Sequence, residues 1–218
     1  MARIPLSRFQ STEANDSWGW TDSDTAKEYA IIGLNDGTGF VDISDPVNPV
    51  YLGKLPTATE SSSWRDIKVY KNYAYIVSEA NEHGVQIFDL TKLRGLESEQ
   101  NFTSDGVVNT VNRAHNIFVN EESGFGYVVG TNRENEYEGG VYFLDLADPL
   151  NPIVVGGYGE QGYTHDAQVV NYKGPDTDYL GKEIYIGSNE SEIVILDVTD
   201  KKNPIFIASA VYPNLVYT

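Results

Sequence analysis

Gly39-Phe40-Val41-Asp42-Ile43-Ser44-Asp45-Pro46 recurs as Val85-Gln86-Ile87-Phe88-Asp89-Leu90-Thr91, as Val141-Tyr142-Phe143-Leu144-Asp145-Leu146-Ala147-Asp148-Pro149, and as Ile193-Val194-Ile195-Leu196-Asp197-Val198-Thr199-Asp200. Three of the four copies continue into Asn-Pro and a new apolar run, at Asn48-Pro49-Val50-Tyr51-Leu52, Asn151-Pro152-Ile153-Val154-Val155 and Asn203-Pro204-Ile205-Phe206-Ile207. The apolar run makes a strand. Asp-Pro and Asn-Pro close a tight turn through side-chain hydrogen bonds and a fixed φ, and the run that follows pairs back antiparallel. The segment is a hairpin, met four times.

A second column lies upstream of each hairpin: Asn15-Asp16-Ser17-Trp18, Arg65-Asp66-Ile67-Lys68-Val69, His115-Asn116-Ile117-Phe118-Val119 and His165-Asp166-Ala167-Gln168-Val169. Its Asp or Asn members fall at 16, 66, 116 and 166, one every 50 residues. Between the columns sits one more strand per unit, at Tyr29–Leu34, Tyr73–Ser78, Gly126–Gly130 and Ile184–Gly187. Units of about four short strands repeating near 50 residues are in the range of β-propeller blades. Long segments of 3.6-residue periodicity, which helical solenoids need, are missing, and the unit is too long for leucine-rich or β-helical repeats. The expected fold is therefore all-β: a β-propeller with about four blades present of a six- or seven-bladed ring, in a truncated chain. An open β-sandwich, or tandem sandwiches, is the alternative.

The reading treats 1–218 as one partial propeller domain with blades at 14–58, 62–106, 113–159 and 163–211, and a fifth unit starting at 212–218. The second blade departs from the pattern after Asp89, where Thr91–Leu96 replaces the Asp-Pro turn with a short helical turn. The insertion 131–138 is an exposed loop between strands, as is 173–178. A truncated ring would leave blade faces and edges unpaired, so the chain alone is expected to be marginally stable or prone to aggregate.

Composition narrows the function. With 15 Tyr, 8 Phe and 3 Trp against 1 Met, the apolar supply suits strands. A formal charge of −17 without any basic cluster opposes nucleic-acid binding. The lack of cysteine removes disulfides, thiolate metal sites and cysteine nucleophiles. No stretch has the length of apolar sequence that a helical membrane span needs, and the oligomeric state is left open.

The stretches Ala14–Thr21, 40–56, Ser63–Val69, Ala114–Ile117, Thr164–Ala167 and Ile193-Val194-Ile195-Leu196-Asp197-Val198 resemble the LVIVD-repeat proteins, and specifically the bacterial choice-of-anchor B surface proteins. The likeness spans nearly the whole chain. It implies a β-propeller exported to the cell surface or beyond and held by a C-terminal anchor that varies between members. The expected localisation, extracellular or cell surface, rests on this resemblance, which lends no enzymatic activity.

If the second column begins each innermost strand, Asp16, Asp66, Asn116 and Asp166 surround one mouth of a central channel, with Asn15, Arg65, His115 and His165 beside them. Asp16, Arg65, Asp66, His115, Asn116, His165 and Asp166 are therefore the candidate ligand-binding residues. His115, His165, Asp66 and Asp166 are the candidates for a divalent cation, calcium or a transition metal, because carboxylates and imidazoles supply the oxygen and nitrogen such ions take. The competing reading has each Asp or Asn accept backbone N–H groups and lock the blades. Asp42, Asp89, Asp145 and Asp197 read as backbone caps, Asp45, Asp148 and Asp200 as turn formers, and His83 as a residue of the second blade's turn. Trp18, Trp20 and Trp64 read as inter-blade packing in preference to a sugar platform. No competent catalytic set is legible. The expectation is a scaffold that binds a protein or small molecule at one propeller face, with a metal-dependent enzyme as the alternative.

Overall fold

The computed structural model describes residues 2–213. The chain divides after Arg113 into two compact units. The first unit holds β1 (Ala14–Thr21), β2 (Glu28–Leu34), β3 (Gly37–Asp42), β4 (Val50–Pro56), β5 (Arg65–Tyr70), β6 (Tyr73–Ser78), β7 (Val85–Asp89), β8 (Gln100–Asn101) and β9 (Gly106–Val108). They form two sheets, in the orders β1-β2-β3-β4-β8 and β5-β6-β7-β9. The second unit holds β10 (Asn116–Asn120), β11 (Phe125–Val129), β12 (Val141–Asp145), β13 (Ile153–Tyr158), β14 (Thr164–Asn171), β15 (Glu183–Asn189), β16 (Glu192–Asp197) and β17 (Ile205–Val211). These make two four-stranded meanders, β10-β11-β12-β13 and β14-β15-β16-β17. Four sheets built on antiparallel meanders, one per sequence repeat, are β-propeller blades.

Period-two alternation decides what each sheet buries. In the first unit Tyr29, Ile31, Phe40, Leu52 and Leu55 of one sheet meet Ile67, Val69, Ala74, Ile76 and Phe88 of the next. Phe40 stacks on Phe88 at 4.6 Å, and Phe102 meets both rings edge-on. Burying each of these large side chains contributes about 1.5–3 kcal/mol. The second unit repeats the device with Tyr127, Val129, Val141 and Phe143 against Ala167, Val169, Tyr185, Val194 and Leu196. The other face of the first sheet, carrying Ala30, Ile32 and Val41, is partly covered by Ile4, Leu6 and Phe9. A groove of about 640 Å³ remains between them. On β17, Ile205, Phe206 and Val211 stay exposed.

Within the hairpin column, the strand-end and turn aspartates have separate structural roles. Asp42, Asp89, Asp145 and Asp197 each accept the backbone N–H two residues on, from Ser44, Thr91, Ala147 and Thr199, at 2.8–3.0 Å. Asp45, Asp148 and Asp200 fold the next turn by accepting both a backbone N–H and the amide of Asn48, Asn151 or Asn203. These bonds favour the ionised form and hold all three turn carboxyls below the usual range.

The second blade differs in detail from the sequence reading. A 3-10 turn at Leu90–Leu93 follows β7, as the missing Asp-Pro suggests. The chain then leaves its own blade: β8 pairs in parallel with β4 on the first sheet, and only β9, running past the expected limit at 106, completes the second. Without an Asn-Pro turn, nothing returns the chain directly to β7. Of the fifth unit expected at 212–218, residues 214–218 lie outside the described residues.

Candidate functional site

In the first unit β1 lies beside β5, and the 50-residue spacing becomes contact: the Asn15 side-chain amide donates to the Arg65 carbonyl at 3.4 Å. Asp16 is the extra residue of a β-bulge between Asn15 and Ser17, with φ of +44°. Bulges re-aim side chains, and this one carries Asp16 to the surface. Asp66 is buried and accepts the Ile67 N–H at 2.7 Å and the Lys68 ammonium at 2.6 Å. Lys68 also stands 3.9 Å from Asp16 and 4.6 Å over the Trp18 ring. Partial burial opposes ionisation of Asp16, but hydrogen bonding with Asp66 and the Ser17 N–H, together with the Lys68 charge, keeps its carboxyl below the usual range.

Arg65 faces away from this cluster and is fully buried. Its guanidinium donates to the Leu34 carbonyl at 3.0 Å, the Thr57 hydroxyl at 2.9 Å and Nε2 of His83 at 2.8 Å. It therefore anchors the β5 entrance to the preceding sheet instead of presenting charge to a ligand. Burial brings its pKa down to about 10. His83, read from sequence as a turn residue, is equally buried, because the β6–β7 loop folds its ring inward to receive Arg65.

In the second unit the His115 and His165 rings lie 4.2 Å apart, tilted by 38°. His115 is fixed through its backbone N–H, shared between the Val129 and Gly130 carbonyls. Gly130, at φ +66°, has no room for a Cβ, which would stand 2.3 Å from that of His115. His165 is the bulged residue between Thr164 and Asp166, the counterpart of Asp16 in β1. Asp166 accepts the Ala167 N–H at 2.6 Å, repeating the Asp66 bond to Ile67. Asn116 opens β10 opposite Val129 and is partly buried.

The column is thus brought together in pairs: Asp16 with Asp66, and His115 with His165. Asp66 and Asp166 bond to the next residue of their own strands. Among the described residues no three His, Asp or Glu side chains converge closely enough to hold a metal ion. Sequence reasoning missed Lys68, although a position two residues beyond Asp66 shares its face of the strand. It also placed all three tryptophans in the packing. Trp20 is buried and stacks on Tyr29 at 5.0 Å. Trp18 and Trp64 keep 40% and 50% of their surface exposed.

Another charged cluster escaped the sequence reading. Glu183 is buried and accepts from Asn120, Ser123 and Tyr127 on one oxygen and from Lys201 on the other, at 2.5–2.7 Å. Lys201 also bonds the Val198 carbonyl and sits 4.1 Å over the Phe125 ring. The cluster ties together the two sheets of the second unit.

The described residues contain no helix long and apolar enough to cross a membrane. No curated protein matches the chain. Among solved structures it is similar to the extracellular domain of BT4673 from B. thetaiotaomicron, a candidate one component system, with a TM-score of 0.55 and 11% identity. That likeness covers 91% of this chain but only 24% of the solved one, so the chain spans about a quarter of that protein's length. It supports the fold. The LVIVD repeat model matches residues 27–57, 63–85 and 179–211. Those stretches cover β2 to β4, β5 to β6 and β15 to β17, which include the hairpin strands β3 and β16 and, in β5, one member of the upstream column, so the chain carries LVIVD repeats at three places.

Proposed function

We propose that the chain is part of an exported, cell-surface β-propeller of choice-of-anchor B type, a non-enzymatic scaffold that binds a ligand or protein partner where its innermost strands begin. The observation that carries this reading is the Asp16–Lys68–Asp66 cluster, polar groups fixed on two neighbouring inner strands beside the exposed rings of Trp18 and Trp64. Propellers use such strand ends and loops to present binding groups on a rigid frame. Export fits both the choice-of-anchor B resemblance and a structural neighbour that is itself an extracellular domain. Protease treatment of intact cells making the native protein tests it. Loss of the protein with retention of a cytosolic marker is expected, and protection equal to the marker's would overturn the surface assignment.

The second reading, a metal-dependent enzyme, has the His115–His165 approach in its favour. Metal analysis separates the two. Stoichiometric metal that disappears in a His115→Ala/His165→Ala variant supports the enzyme, whereas a metal-free protein supports the scaffold.

A further inference from the structure

The strip formed by β1 and β5 has a chemistry that narrows what it can hold. Two of the chain's three tryptophans, Trp18 in β1 and Trp64 just before β5, stand exposed along it, whereas Trp20 of β1 and Tyr29 beside it are buried. An indole held at a surface retains a flat apolar face that favours a ligand with a matching one. On the same strip, next to Lys68 and the Arg65 carbonyl, lie the Asp16 carboxylate and the Asn15 amide, groups that hydrogen-bond. Asn15 and Asp16 are held in place, one by its bond to the Arg65 carbonyl and the other by the bulge.

A cationic ligand fits poorly, because the protein has already filled the cation's place. The Lys68 ammonium sits between both carboxylates and against one face of Trp18. Being mostly buried, it is not readily displaced. An anion is opposed by Asp16 and by the formal charge of −17. What remains is a neutral ligand that combines flat apolar faces with many hydroxyl groups. From this we infer that the strip binds a neutral carbohydrate chain, its sugar rings lying on Trp18 and Trp64 and its hydroxyls bonding to Asp16 and Asn15. Lys68, which covers Trp18, lies four residues beyond Trp64, about 13 Å of extended chain. That separation suits a short oligosaccharide rather than a single ring.

The inference rests on the scaffold reading and names its ligand. Native gels containing β-glucan, xylan, galactomannan or pullulan test it with the whole 218-residue chain. At least one of these glycans is expected to retard the protein, and oligosaccharides from that glycan are expected to shift its tryptophan emission. Trp18→Ala and Trp64→Ala should each weaken the interaction about tenfold, with Trp64→Tyr in between. Near-ultraviolet circular dichroism confirms that the variants fold. Migration unaffected by all four glycans, or retardation unchanged in both alanine variants, would overturn the inference. Either result leaves the surface-scaffold reading to the separate protease experiment.

Discussion

Arg65 donates a hydrogen bond to Nε2 of His83 over 2.8 Å, and neither side chain has any solvent-exposed surface. Arginine can only donate, so Nε2 must accept and the His83 proton sits on Nδ1, which donates to the Gly84 carbonyl at 3.0 Å. A buried guanidinium is therefore satisfied by neutral acceptors alone, and the imidazole can serve as one of them only while it is uncharged. Protonating His83 would place two cations in contact away from water.

Acid should expose this arrangement. Burial first, and the Arg65 charge second, lower the His83 pKa from 6.5 to about 4. Above pH 6.5 His83 is neutral in both folded and unfolded chains. Between 6.5 and about 4 the unfolded chain binds a proton that the folded one refuses, so stability falls as pH falls, by roughly 3 kcal/mol over the window. His83→Gln keeps an acceptor for Arg65 without the titration. Urea unfolding of both proteins at pH 7 and pH 4.5 should show a smaller acid loss in the variant. An equal loss in both would refute the assignment.

The Glu183–Lys201 pair makes a different prediction. Burial disfavours the Glu183 carboxylate, but Lys201, Ser123 and Tyr127 outweigh it and hold the carboxyl below its usual range. Its contribution to stability is therefore present at neutral pH and lost as pH drops through the acidic range. Lys201→Met leaves a buried carboxylate without its counter-charge and should cost about 3–5 kcal/mol at pH 7. Adding Glu183→Gln removes the stranded charge and should recover a substantial part of that loss. Denaturant midpoints of the single and double variants decide the matter, and a double variant no better than the single one contradicts it.

Asp42 and Asp197 occupy equivalent places and should respond alike. Each accepts the N–H two residues on and a lysine 15 residues back, Lys27 or Lys182. Replacing either with alanine strands the turn N–H and should cost about 1–2 kcal/mol. Replacing either with asparagine keeps that acceptor and loses only a half-exposed ion pair, which is worth less. Thermal melts should rank aspartate, asparagine and alanine in the same order at both positions. Reversal at either one would show that the lysine, not the turn, matters.

The blades and their turns were legible because both are local. Alternating apolar residues and Asp-Pro or Asn-Pro signals act within a few residues, and repetition multiplied the signal until the number of sheets could be read. The column at 16, 66, 116 and 166 was legible as a repeat but not as chemistry. Whether Asp66 faces a ligand or Lys68 depends on how adjacent strands approach, and Arg65 turns inward only because His83 and Thr57 arrive from other segments. The exposure of Trp18 and Trp64 was illegible for the same reason. Single-chain patterning says that an indole is apolar, not what lies across from it. Glu183 and Lys201 belong to no repeated motif, so their pairing could be found only in three dimensions.

The detour of the second blade supplies the last prediction. β8 reaches the first sheet by pairing Gln100 with Gly53, and a Cβ at Gly53 would stand 2.0 Å from the Gln100 carbonyl oxygen. Gly53 also has a φ of +127°, a conformation side chains rarely adopt, at the irregularity where β4 slips past β3 between Phe40 and Val41. Gly53→Ala should therefore strain the strand itself and push β8 off the sheet edge, at a cost above about 1 kcal/mol. Two effects overlap, and hydrogen exchange separates them. If β8 pairing matters, the amides of Phe102 and its neighbours lose protection while those of β1 and β2 keep theirs, since Phe102 N–H bonds the Lys54 carbonyl. Uniform loss across the first sheet would mean that the φ strain alone destabilises the blade, and unchanged protection would mean that β8 does not pair there in solution.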